Sequence, residues 1–94
     1  MLTITADLES CRKMRPQIEP GDILKVEKGA PITAKDIAFI SIENKPMFAM
    51  VKFLHCGVWV VFSNPAYDAV YIPPEEIGKL NVIGKVTERI RRYK

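Results

Sequence analysis

Turn-forming residues recur along this chain and mark most of it off into short runs. Pro16, Pro20, Gly21-Asp22, Asn44-Lys45-Pro46, Gly57, Ser63-Asn64-Pro65 and Pro73-Pro74 all break regular structure or favour tight turns. The runs between them are short and rich in β-branched and aromatic residues. Leu2, Ile4, Ala6 and Leu8 alternate with Thr3, Thr5, Asp7 and Glu9, the period-two signal of a half-buried strand. Ile23 to Val26 follows the Pro-Gly-Asp turn. Ile37 to Ile42 and Met47 to His55 flank Asn44-Lys45-Pro46 and are expected to form a hairpin. Val58 to Phe62 runs back after Gly57, and Val70 to Ile72 is stopped by Pro73-Pro74. Glu75 to Ile77 is expected to add one helical turn, its acids suited to a helix start. Leu80 to Ile90 is the last long strand, and Gly84 is expected to kink or bulge it. The pattern predicts an all-β fold and leaves barrel and sandwich open.

Ninety-four residues, 48% of them hydrophobic, suit one globular domain spanning residues 1–94. The longest uncharged apolar stretch, Val58 to Phe62, is far short of the ~18–20 residues of a membrane span. Asp7 and Glu9 fall where a signal peptide would be apolar. A cytoplasmic protein without membrane contact is therefore expected. Cys11 and Cys56 do not make a disulfide framework and are expected to stay unbridged. One histidine and no paired Cys/His spacing predict no metal and no cofactor. The net charge is +3, and much of the excess lies in Lys85, Arg89, Arg91, Arg92 and Lys94 against Glu88. Such a tail could meet phosphates. Without an aromatic platform beside it, a solvated strand end is the expectation.

Two segments carry more specific information. Lys13-Met14-Arg15-Pro16-Gln17-Ile18-Glu19-Pro20-Gly21-Asp22 opens a strand, and Val51-Lys52-Phe53-Leu54 places one lysine in an apolar run. Together they resemble the serine–lysine peptidase fold of LexA, UmuD and the phage repressors, shared with bacterial signal peptidase. That family shows Ser-Met-x-Pro-x-Ile-x-x-Gly-Asp and, further on, a lysine inside a Val-Lys-Arg-Leu-type strand. Met14, Pro16, Ile18, Gly21 and Asp22 match, and Lys52 stands at the base position. Lys13 stands where the family has its nucleophilic serine. Asn64-Pro65-Ala66-Tyr67 is similar to the family's Asn-Pro-x-Tyr segment. Val82-Ile83-Gly84-Lys85-Val86 is similar to its closing Ile-Ile-Gly-x-Val strand, and Lys35-Asp36 takes the place of a second Gly-Asp. The resemblance covers residues 4–92 and implies a compact, strongly bent, antiparallel β-barrel-like domain.

In that family the serine hydroxyl attacks a peptide carbonyl while a neutral, buried lysine takes its proton. With Met50, Val51, Phe53 and Leu54 around it, Lys52 is expected to point into a shallow apolar cleft with Lys13 at its mouth. An amine at position 13 would leave a stable amide and no turnover. Ser10 precedes it by three residues. Cys11 precedes it by two, on the same face if the segment is a strand, but displaced by ~6–7 Å. Met14 is expected to pack beneath the loop, Pro16 to fix its direction, and Gly21-Asp22 to turn the chain into the next strand, with Asp22 bonding nearby amides. No Ala-Gly or Cys-Gly pair precedes Lys13 as a substrate segment.

The resemblance thus implies the C-terminal dimerisation and regulatory domain of a LexA- or repressor-like transcriptional regulator of the SOS type, catalytically inactive. DNA contact is expected only through a helix-turn-helix domain that these residues lack. An active peptidase of the same fold and a small β-barrel nucleic-acid binder are the alternatives. A homodimer is expected on the closing strand, where Val82, Val86 and Ile90 share one face and Tyr93 could join them. Arg89, Arg91 and Arg92 would then line its rim near Glu75, Glu76 or Glu88.

Overall fold

The computed structural model describes residues 2–7, 11–15 and 17–91. The strands are β1 (Leu2–Thr5), β2 (Ile23–Lys28), β3 (Ile37–Ile42), β4 (Lys45–Leu54), β5 (Gly57–Val61), β6 (Val70–Ile72) and β7 (Leu80–Ile90). They form one sheet in the order β1-β2-β7-β3-β4-β5-β6, and every neighbouring pair is antiparallel. The fold is all-β, as the turn spacing predicts. The helical turn expected at Glu75 to Ile77 is a 3₁₀ turn, Pro74–Lys79, with proline at its start and both acids in its first turn. Leu8 and Glu9, the end of the first alternating run, lie outside the described residues, as do Ser10, Pro16, Arg92 and Tyr93.

The hairpin between β3 and β4 is tighter than expected. Its turn is Glu43-Asn44, both at positive φ (51° and 67°), and Ile42 pairs directly with Lys45. Such primed two-residue turns match the twist of the flanking strands. Lys45 and Pro46 therefore belong to the strand. The closing pair of this hairpin exchanges the hydrogen bonds, so the next pair, Ser41 and Pro46, turns its backbone groups outward. There β4 has no second neighbour, because β5 begins pairing only at Met50. A proline, lacking an amide hydrogen, is tolerated there.

Ala38, Phe39 and Ile40 are all buried, as are Phe48 and Ala49 opposite them. Consecutive buried residues on a strand mean that both faces are covered. Phe39 and Phe48 stack with ring centroids 4.9 Å apart, within the favourable range for tilted aromatic pairs. Met14 and Ile18, from the chain before β2, are fully buried in the same cluster as Leu24, Val26, Val51 and Val60. Cys11, Met14 and Ile18 are thus part of the core.

Strand β7 lies inside the sheet, between β2 and β3. This overturns the argument for pairing two copies along it, since both of its edges already bond within the chain. Val82 and Val86 pack against the core, and Ile90 is half-buried opposite Ile23. Two irregularities bend the strand. The register slips at Ile83, between the pairs Phe39–Gly84 and Ile40–Val82, and again at Thr87. Gly84 sits between them because the neighbouring strand leaves no room for a side chain. A Cβ there would lie 2.6 Å from the Glu27 carbonyl oxygen and 2.7 Å from Val26 Cγ1.

Gly84→Ala is therefore expected to destabilise the fold by about 1–3 kcal/mol through overpacking against backbone. Gly78, with open space around its Cα, should accept alanine with little change. Thermal melting of the two variants side by side checks the contrast.

Candidate functional site

The motif segment is built around a buried turn. Arg12–Met14 form a 3₁₀ turn, and its exposed carbonyls are all taken by two residues of the loop after β5. Asn64 Nδ2 donates to the Arg12 carbonyl at 3.0 Å, and the Asn64 amide donates to the Lys13 carbonyl at 3.0 Å. The Ser63 hydroxyl donates to the Met14 carbonyl at 3.0 Å, and the Ser63 amide points to Met14 Sδ at 3.3 Å. Carbonyls at a helix end need such partners when they leave water. Asn64 also accepts from the Ala66 amide, which closes the Asn-Pro-x-Tyr turn on itself.

Further along, Gly21 takes φ of 92° and donates its amide to Ala6. Asp22, 2% exposed, accepts from the Glu19 amide at 2.9 Å. Its carboxylate also receives both arms of Arg91, at 3.0 Å from Nε and 2.9 Å from Nη2. Asp36 repeats the arrangement before β3. It accepts from the Thr33 amide at 2.9 Å and pairs with Lys85 of β7 at 3.7 Å. Arg89 donates to the Gln17 carbonyl. The terminal cations expected at a solvated end or a dimer rim are thus intramolecular in the case of Arg89 and Arg91. Glu88 pairs with Lys25 and Glu76 with Lys79, so neither acid offsets those arginines.

Lys13 is half-buried, and its ammonium lies over two rings of the same loop. Nζ is 4.9 Å from the centroid of Phe62 and 5.8 Å from that of Tyr67, both within cation–π range. Lys52 is in a different environment. Its side chain is exposed and makes no hydrogen bond or ion pair among the described residues. The expected apolar cleft fails for a geometric reason. Neighbours in sequence on a strand point to opposite faces, so Val51 and Phe53 do not flank Lys52. Its own face carries Met50, and across the strand pair Trp59 and Tyr71, with exposures of 38% and 39%. Trp59 opposes Lys52, whereas Phe62 comes three residues later, about 10 Å along the strand direction. The structure therefore seats Lys13 on Phe62 and Tyr67 and leaves Lys52 in solvent.

Cys11 is fully buried at the start of the 3₁₀ turn, not on a strand beside Lys13. Burial pushes its thiol above the ordinary value, so thiolate is disfavoured. Sequence reasoning missed Ser63, Phe62 and Arg91. The Asn-Pro-x-Tyr resemblance marked the right loop, but nothing local linked Arg91 to Asp22.

The sequence model of the Peptidase S24-like family matches residues 12–87, a span that runs from this turn to the bulge in β7. No curated protein matches the chain significantly.

Hydrogen bonds from Arg91, and then from the Glu19 amide, hold the Asp22 carboxyl below its ordinary value of 3.8. The folded state then binds fewer protons than the unfolded chain near that pH. This contribution is present above 3.8 and is lost as pH falls through the lowered value. Asp22→Asn is expected to make the acid limb of stability shallower. Arg91→Met should cost about 2 kcal/mol at neutral pH by leaving a buried carboxylate without its partner. Urea unfolding across pH measures both.

Proposed function

The chain belongs to the Peptidase S24-like family, and we propose that it acts there as a regulatory domain without peptidase activity. The observation that carries this reading is the ammonium of Lys13 over Phe62 and Tyr67 at the position of the nucleophile. An amine held by two rings offers no hydroxyl to attack a carbonyl. Lys52 is exposed and stands outside the apolar environment that the family's proton-accepting lysine occupies. Both halves of the serine–lysine chemistry are therefore unsupported, while the turn that frames them is intact. The function left to such a domain is to regulate the activity of a transcription factor, with DNA contact made by a separate helix-turn-helix domain.

Two other readings have less behind them. A peptidase using Cys11 needs an accessible thiolate, and Cys11 is buried with its thiol pushed up. A nucleic-acid binder using the terminal cations needs free arginines, whereas Arg89 and Arg91 are engaged with Gln17 and Asp22. Pairing of two copies along the edge of β7 is not part of the proposal, because that strand has no open edge.

The test is incubation of the purified chain with a repressor-type cleavage-site peptide at neutral and alkaline pH. No product is expected at either. Cleavage that disappears in Lys52→Ala would overturn the proposal.

A further inference from the structure

We propose that Lys13 is a cation–π clasp that holds the loop from Phe62 to Tyr67 onto the 3₁₀ turn, so that the residue replacing the nucleophile stabilises the fold. The loop's hydrogen bonds to the backbone of the turn come from Ser63 and Asn64, its middle. The two aromatic residues lie on either side of that pair, one directly before it and one at the loop's end. The Lys13 side chain reaches both, at 4.9 Å and 5.8 Å. One cation therefore spans the loop and ties both of its ends to the turn. Phe62 is 8% exposed and Tyr67 packs against the core, so the ring pair is a fixed seat rather than a chance contact on a mobile surface. Partial burial of the ammonium strengthens the attraction, because less of the charge is shared with water.

A serine at position 13 cannot make this contact. The hydroxyl would leave both rings without their cation, and the loop would keep its hydrogen bonds from Ser63 and Asn64 to the turn. Restoring the family's residue is thus expected to weaken the fold whether or not it restores chemistry. This consequence rests on the reading of Lys13 as the nucleophile position; the clasp itself rests on the ring geometry alone.

The test is a double-mutant cycle in urea unfolding, with Lys13→Met and Tyr67→Leu made singly and together. Methionine keeps the length of the side chain and removes the charge. Lys13→Met is expected to lower the folding constant about two- to five-fold in the wild-type background, and less in the Tyr67→Leu background. The second measurement needs no unfolding. The ε-methylene protons of Lys13 should resonate upfield of those of the other lysines in the wild-type NMR spectrum, and move back in Tyr67→Leu. Equal losses in both backgrounds, no loss at all, or unshifted ε-protons would overturn the clasp. None of these readouts depends on peptide cleavage, so the clasp and the absence of activity stand or fall separately.

Discussion

Strand β7 is what joins the two halves of this sheet. β2 and β3 follow one another in the chain yet do not pair; the last strand lies between them and bonds to both. This strand and the residue that follows it supply a cation to the turn that precedes each neighbour. Arg91 meets Asp22 before β2, and Lys85 meets Asp36 before β3. In both turns the aspartate also accepts the amide of the residue three positions earlier, Glu19 or Thr33. Each aspartate thus fixes its own turn and anchors it to the central strand. The two are unequal in weight. Asp22 is buried and bidentate, whereas Asp36 is half-exposed with its lysine at the limit of an ion pair, where water screens most of the attraction.

The residues around position 13 hold structure in their own right. Met14 and Ile18 fill the core, Gly21 and Asp22 turn the chain, and Ser63 and Asn64 satisfy the 3₁₀ carbonyls. None of these contacts needs a serine at 13. Position 52 is different. There its strand pairs with β5 alone, and the pairing is indifferent to the side chain that points outward. A residue with so little packing around it is under little structural constraint.

Local patterns were legible where they reflect local physics. Period-two alternation and turn residues identify the strands, and Gly84 announces the irregularity in β7. What was not legible lies across distance. The sequence does not say that β7 inserts between β2 and β3, so its apolar residues read as a free face although Val82 and Val86 pack on the core. Arg91 and Asp22 are 69 residues apart, and no spacing rule links them. Lys52 differs for a simpler reason: of its apolar neighbours in sequence, strand geometry sends Val51 and Phe53 to the other face, and the face it shares with Met50 and Leu54 is open to solvent there. Cys11 shows the same dependence on context, since it lies at the start of a 3₁₀ turn and the strand geometry that would put it on the face of Lys13 does not apply.

The two outermost strands are also the shortest, β1 with four residues and β6 with three. An open strand edge invites other chains to add to it, and long flat edges seed aggregates. Here Pro73 and Pro74 directly follow β6, and proline cannot donate to an incoming strand. The sheet therefore grows inward, onto its longest strands, and offers crowded solutions little to extend. With Val70 and Tyr71 exposed on that rim, the brevity of β6 is what separates a sticky surface from a template for polymerisation.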